Sequence, residues 1–208
     1  MRTASSGPRL IVFTDTTRAE PSSMLARFSA LAERAQPDSV LFTLRDYALP
    51  VRERWALAER LAKLTAQSQQ RFGIAERADL AKAFQCTAFH LPQGGLRATD
   101  ARSYLGAQVL LSRGEHEPAR VAEPEPEFDA VLLSPIFEAR KGRPALGLAA
   151  LESACAAHPG KAWFALGAVG AGNAAACLRA GAAGVAVIGA ALSADPEPLL
   201  GALGILRG

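Results

Sequence analysis

Short apolar runs alternate with longer amphipathic stretches along the whole chain. Runs such as Ala162–Leu166 are continuously apolar, as expected of strands buried on both faces. The stretches between them, such as Pro21–Arg34, place their apolar residues at helical spacing. The pattern therefore predicts eight strand–helix units. The predicted strands are 9–14, 40–44, 71–74, 87–91, 108–112, 129–133, 162–166 and 184–188. The predicted helices are 21–34, one beginning at Pro50, 75–84, 97–105, a short one beginning at Pro118, 145–158, 173–180 and 196–206.

Strict alternation of strands and helices with short connections implies a parallel sheet. A single closed (β/α)8 TIM barrel, an α/β fold, is the economical arrangement for eight such units, and we predict it over residues 9–208, after a flexible N-terminal segment 1–8. A doubly wound open sheet is the alternative. No GxGxxG follows the first strand, which counts against a dinucleotide site. The acidic, proline-rich stretch 115–127 is predicted to be a partly irregular surface crossover.

Composition and charge exclude several classes of function. Half of the 208 residues are apolar, so global disorder is not expected. The net charge of +3 suits a small anionic ligand better than a nucleic acid. No apolar run reaches membrane-spanning length and no signal peptide is recognisable. Cys86, Cys155 and Cys177 are widely spaced, which favours reduced thiols in a cytoplasmic protein over disulfides or a zinc site.

The stretch from Trp163 to Leu192 is rich in glycine where its two strands end. Gly167 and Gly189 follow the strands directly, so backbone N–H groups there are accessible to an oxyanion. In (β/α)8 barrels a phosphate commonly lies beyond strands 7 and 8. The alternative is that these glycines only permit tight turns and close packing.

Other polar side chains fall at predicted strand ends. Arg45, Arg113, Arg140 and Lys141 supply positive charge, and few carboxylates accompany them. This inventory indicates a phosphorylated ligand rather than a carbohydrate. Arg45 could instead pair with its neighbour Asp46. His90 directly follows an apolar run, a context that favours a packed, hydrogen-bonded histidine over a general base. His116 lies near a surface segment.

Several stretches match a known family in order along nearly the whole chain. The most specific are 165–169 (ALGAV) and 180–187 (AGAAGVAV), at the family's mutual spacing. Together they resemble the thiamin phosphate synthases and their TenI relatives, the thiazole tautomerases. Further matches are Thr14-Asp15, Leu44-Arg45, 78–81, Phe89-His90-Leu91 with Gln93, Ser112, Ser134-Pro135-Ile136-Phe137 with Lys141, and Asn173.

The resemblance implies a (β/α)8 barrel and a transferase of thiamin biosynthesis. An aminopyrimidine pyrophosphate ionises, a thiazole phosphate captures the cation, and pyrophosphate leaves. It implies that pyrophosphate is bound by Arg45 and Lys141 and the pyrimidine by Ser112 and Gln93, with His90 among the catalytic residues. The implied thiazole phosphate site is Gly167, Ala168, Ile188 and Gly189, and Glu76 is the one candidate ligand for Mg²⁺.

Departures from the family pattern concentrate on the metal and pyrophosphate positions. Tyr47 stands where the family has a lysine, Ala75-Glu76 replaces an Asn-Asp pair, and Gly95 replaces a second metal-binding Asp. One carboxylate equips a Mg²⁺ site poorly. Two alternatives therefore stay open. One is a metal-independent thiazole phosphate tautomerase in which His90 or His116 moves a proton. The other is an inactive paralogue that binds a phosphorylated ligand. We expect a phosphorylated small-molecule partner, no nucleic acid and no membrane, and leave a homodimer open.

Overall fold

The structure is a closed barrel of eight parallel strands in sequential order, with the eighth strand paired to the first. It is a computed structural model that describes residues 7–116, 127–140 and 142–208. Helices lie outside the strands, so the predicted (β/α)8 TIM barrel is confirmed. The division into a terminal segment and one domain from residue 9 stays a prediction.

The strands are short and almost all of their residues are buried. They are β1 (Leu10–Phe13), β2 (Val40–Leu44), β3 (Arg71–Ala75), β4 (Ala88–Leu91), β5 (Leu110–Glu115), β6 (Ala130–Leu133), β7 (Ala162–Leu166) and β8 (Gly184–Val187). The described helices are α1 (Pro21–Arg34), α2 (Val51–Ser68), α3 (Ala78–Ala83), α4 (Ala98–Leu105), α5 (Gly147–Ala157), α6 (Ala171–Arg179), α7 (Glu197–Leu203) and a 3₁₀ turn (Gly189–Leu192).

Alternation of side chains along each strand separates two apolar layers. One cluster includes Ile11, Phe13, Leu132 and Phe164 and fills the barrel interior. The larger cluster packs the outer faces of the strands against the helices, where residues such as Phe28 are fully buried. Phe13 and Leu132 also line the pocket above the interior layer, so this layer forms the floor of that pocket.

The fifth strand and the segment after the third strand differ from the prediction. β5 extends beyond Ser112 to Glu115, because Arg113–Glu115 pair with β6 residues 131–133. β3 extends to Ala75, which pairs with His90, and α3 then begins only at Ala78. These boundaries depend on pairing with the neighbouring strands, which the apolar pattern of a single segment does not predict. The 3₁₀ turn after β8 was missed.

Parts of the predicted organisation lie outside the described residues. These are residues 1–6 of the predicted N-terminal segment 1–8, the predicted helix beginning at Pro118, and Lys141. Among the described helices, none combines the length and apolarity that a membrane span requires. Cys86 and Cys177 are buried and Cys155 is half-buried, and none of them forms a disulfide.

Candidate active site

A pocket of about 210 Å³ opens at the C-terminal ends of the strands. Its floor is apolar, from Phe13, Leu132 and Leu166. Its wall is cationic and aromatic, and of the described residues that line it none carries a carboxylate. A cavity with this lining attracts anions and accommodates a flat ring on its floor. The polar and aromatic wall residues are Arg45, Tyr47, His90, His116, Ser134, Arg140 and Arg143.

His90 stands at the end of β4 and joins the pocket to the barrel interior. Its Nδ1 lies 3.0 Å from Ser112 Oγ on β5, and the edge of its ring meets Phe13 at a centroid distance of 5.0 Å. Burial, with the positive charges of Arg45 and His116 adding to it, lowers the pKa of His90 from 6.5 to about 3. His90 is therefore a neutral imidazole at neutral pH. Ser112 contacts His90 and lies outside the described pocket lining.

His116 also lines the pocket, although sequence reasoning placed it near a surface segment. The longer β5 explains this, because Ser112, Gly114 and His116 alternate with residues on the opposite face. His116 Nδ1 lies 2.9 Å from both the hydroxyl and the carbonyl oxygen of Ser134. A protonated Nδ1 can donate to the carbonyl and an unprotonated one can accept from the hydroxyl. Ser134 therefore orients either tautomer.

Arg45 follows β2 and reaches Asp15 in the loop after β1, with Nη2 3.4 Å from Oδ2. It pairs with Asp15 and not with Asp46, whose Oδ1 accepts from the N–H and hydroxyl of Thr16 at 2.6 and 2.7 Å. The guanidinium lies 5.7 Å from the Phe13 ring centroid. Burial acts to raise the pKa of Asp15, but hydrogen bonds from Thr17 and the nearby arginines outweigh it and lower that pKa. Asp15 is thus a carboxylate that fixes Arg45.

Tyr47 occupies the position of the family lysine and was not predicted as a wall residue. Its ring centroid lies 6.0 Å from the guanidinium carbon of Arg45 and 5.9 Å from that of Arg54. Burial, together with the charge of Glu76, raises the pKa of Tyr47 to about 12. A neutral aromatic ring therefore stands at this position, where a lysine would add a positive charge.

A second cavity of about 180 Å³ lies beside the first, over the ends of β7 and β8. All four residues predicted to hold a thiazole phosphate line it, namely Gly167, Ala168, Ile188 and Gly189. The two cavities have in common Arg140, Leu166, Gly167 and Ile188.

The turn after β7 has a backbone conformation that requires glycine at position 167. Gly167 has φ +107°, and a Cβ there would lie 2.9 Å from Pro135 Cα and 3.0 Å from Ile136 N. Ala168 also has a positive φ, 53°. Asn173 accepts from Gly170 N–H at 2.8 Å and donates to Ala168 O at 3.0 Å. Glycine and the Asn173 bridge thus fix this turn beside the first turn of α6.

Arg113 and Gln93, two of the predicted residues, line neither cavity. Arg113 points away from the pocket, onto the Phe128 ring at 4.2 Å and the Leu96 carbonyl, because it alternates with the inward-facing Ser112. The interpretation of Arg113 as a rim cation was wrong. Gln93 is half-exposed and lines neither cavity. Lys141 is outside the described residues, so its predicted role stays a prediction.

Glu76, the candidate metal ligand, is exposed and lines neither cavity. Its N–H donates to His90 O at 3.0 Å, and its φ is +63°. Mg²⁺ at a phosphate-binding site is typically held by one or two carboxylates together with the substrate phosphates. The central pocket has no carboxylate among its described lining residues. No group of three metal-ligating side chains exists in the part of the chain that the structure describes. The described residues therefore do not fit a Mg²⁺ site.

Comparisons with known proteins agree with one another. A family model described as thiamine monophosphate synthase matches residues 11–191. A thiamine-phosphate synthase of Mycolicibacterium paratuberculosis is 32% identical over 192 residues, covering 86% of this chain and 84% of its own length. One from Streptomyces avermitilis is 31% identical over 191 residues, covering 90% and 87%.

Solved structures give the same fold. A thiamine phosphate pyrophosphorylase from Pyrococcus furiosus superposes with a TM-score of 0.79 at 22% identity, covering 94% of this chain and 95% of its own. A 3-hexulose-6-phosphate synthase follows with a TM-score of 0.65 at 16% identity, covering 94% and 97%. From the extent of the family match and the identity to its relatives, the chain belongs to the thiamine monophosphate synthase family, and the transferase predicted by resemblance is confirmed at that level.

Proposed function

We propose that this protein joins an aminopyrimidine pyrophosphate to a thiazole phosphate and releases pyrophosphate, forming thiamin phosphate. The observation that carries the proposal is the pair of joined cavities. One has an apolar floor and an arginine-rich wall, and the other has the glycine turns predicted to hold a phosphate. Two anionic substrates meeting at their uncharged ends fit two cavities that adjoin through Leu166 and Ile188.

The cationic wall acts on the leaving group. The C–O bond between the pyrimidine methylene and the pyrophosphate breaks, and both bonding electrons leave with the pyrophosphate. Arg45, Arg140 and Arg143 line the pocket and offset this growing negative charge. The thiazole nitrogen then donates its lone pair to the methylene carbon, which completes the new C–N bond. No proton transfer is required in this step.

The apolar floor protects the intermediate cation from water. Phe13 and Leu132 provide a surface on which the pyrimidine ring stacks. His90, neutral at neutral pH, contributes a hydrogen-bonding edge without adding charge that would repel the cation. Ser112 acts through His90, to which it is hydrogen-bonded.

Magnesium is the cofactor that the resemblance implies. Because the described residues do not fit a Mg²⁺ site, no step of this mechanism is assigned to the ion. Arginines take the charge of the leaving group in the proposed reaction.

The test mixes the purified chain with both substrates and measures thiamin phosphate and pyrophosphate, once with Mg²⁺ and once with a chelator. We expect equimolar products, and a reduction of kcat/KM of about 10- to 100-fold in Arg45→Gln, as for the loss of one hydrogen bond to a charged group. Arg97→Gln is the matched control, because Arg97 is an exposed arginine that also pairs with an aspartate and lines neither cavity. Absence of thiamin phosphate with and without Mg²⁺ would refute the proposal.

A second candidate is a metal-independent thiazole phosphate tautomerase. It is favoured by His116, which lines the pocket and whose Nδ1 is held by Ser134. In this reaction a histidine removes a proton from one position of a carboxythiazole phosphate and returns one at another. Exchange of substrate hydrogen with D₂O, lost in His116→Asn, would support it.

The third alternative, an inactive ligand-binding paralogue, predicts neither product formation nor exchange. The cytoplasmic location stays a prediction, and a homodimer stays open.

A further inference from the structure

The loop after β1 places one carboxylate between two arginines. Asp15 Oδ2 lies 3.3 Å from Arg18 Nε and 3.4 Å from Arg45 Nη2. Its other oxygen, Oδ1, accepts from the N–H and hydroxyl of Thr17. Both oxygens are therefore engaged, and the carboxylate group is only 11% exposed. Two guanidiniums are fixed relative to each other by one anchored group.

These two arginines line different cavities. Arg45 lines the central pocket, whereas Arg18 lines the second cavity. Arg18 Nη1 would be 3.4 Å from a Cβ placed on Gly189, so the guanidinium lies directly over the Gly189 backbone. Its side chain remains 42% exposed, which leaves N–H groups accessible from the cavity.

The opposite side of the second cavity is backbone. Ala168 and Val169 line it, and their N–H groups donate to no described backbone acceptor. A phosphate group between this turn and Arg18 would accept hydrogen bonds from both sides. Glu138 is the one carboxylate among the described lining residues, and it is exposed to solvent.

We infer that Arg18, which lines the second cavity together with Arg140, is a cation that binds the phosphate group of the thiazole substrate, and that Asp15 is a positioning residue that holds Arg18 and Arg45 at the two cavities. The sequence comparison with the family did not indicate either role. The inference rests on the proposed function for the identity of the phosphate ester, and on the geometry of the second cavity for the role of Arg18.

The test compares two arginines with similar local pairing. Arg18 pairs with Asp15 and Arg97 with Asp100, each three residues apart, but Arg97 lines neither cavity. Calorimetry measures the Kd of thiazole phosphate and of the same thiazole alcohol without its phosphate. We expect Arg18→Gln to raise the Kd of the phosphate about tenfold, as for one charge-assisted hydrogen bond. The Kd of the alcohol should not change, and Arg97→Gln should change neither.

Kinetics separates the two roles. Arg18→Gln should raise KM for the thiazole phosphate with little change in kcat or in KM for the pyrimidine pyrophosphate. Asp15→Asn should raise both KM values, because it loosens both arginines. Arg18→Lys, which keeps the charge, should restore part of the affinity. A structural role alone would lower thermal stability without moving KM for one substrate only.

Inorganic phosphate distinguishes failure of this inference from failure of the proposed function. If no thiamin phosphate forms but Arg18→Gln weakens phosphate binding, the proposed function is wrong and the assignment of Arg18 stands. If wild-type protein binds thiazole phosphate and Arg18→Gln binds it equally well, the assignment is overturned. Binding of neither probe by wild type would overturn it as well.

Discussion

Replacing His90 by asparagine should make the folded protein less sensitive to acid. In the native barrel burial lowers the pKa of His90 to about 3, against 6.5 for an ordinary histidine. Because the unfolded chain binds a proton before the folded chain does, stability is present in full above pH 6.5. It is lost as the pH falls toward 3. Asparagine does not titrate, and its amide can keep a hydrogen bond to Ser112 Oγ, which contacts His90 Nδ1.

The magnitude follows from the two pKa values. Each pH unit between them corresponds to about 1.4 kcal/mol. Between pH 7 and pH 5, His90 alone should therefore lower the free energy of unfolding by about 2 kcal/mol. That is a substantial part of the total stability of a typical domain.

Urea denaturation of wild type and His90→Asn at pH 7 and pH 5 measures the effect. The decline on acidification should be about 2 kcal/mol larger in wild type than in the variant. High salt should change this difference little, because burial is the largest cause and salt screens only the contribution of Arg45 and His116. If the two proteins lose stability in parallel, His90 is not a buried neutral imidazole and its buried position in the pocket wall is wrong.

Three other substitutions test the site. Gly189→Asp should keep the fold but raise the Kd of a phosphate ester at least about tenfold, because the new carboxylate would meet Arg18. Calorimetry measures this Kd, and unchanged binding would contradict the role of the second cavity. Gly167→Ala should lower the free energy of unfolding by roughly 2–4 kcal/mol, because the alanine would have a positive φ and its Cβ would press on Pro135. An unchanged midpoint of urea denaturation would contradict this. Arg113→Gln should destabilise without raising KM for either substrate, since Arg113 points outward; a raised KM would restore it to the rim.

The fold could be predicted because most of its strands and helices are marked by the residue pattern within each segment. Strand 40–44, strand 162–166 and helix 21–34 were predicted with the bounds that the structure shows. Strand 162–166 is apolar throughout, strand 40–44 is apolar except for Thr43, and helix 21–34 is amphipathic. The predicted fifth strand ends too early, at Ser112, because Arg113 and Glu115 are polar residues. Their burial depends on the pairing with β6, which a single strand does not reveal.

Part of the site was also accessible from the sequence. Arg45, His90, Gly167 and Gly189 were found by asking which residues follow a strand, and the structure places all four at the two cavities. The same rule wrongly included Arg113. Strand parity applied to Ser112 would have excluded it, because adjacent residues of a strand face opposite sides.

Arg18 and Tyr47 belong to a different class of residue. Both lie in loops. The position of Arg18 depends on the backbone of Gly189, which is distant in sequence. That of Tyr47 depends on how the chain between β2 and α2 brings Arg45 and Arg54 to its ring. No periodicity encodes such contacts. Asp15 was noted only as a family match at the first strand end. Its two arginine contacts span both cavities, so one loop carboxylate sets the spacing between the cations proposed to bind the two substrates. A sequence search for anion sites in barrels of this kind should therefore include carboxylates that follow β1, since they can position cations for two cavities at once.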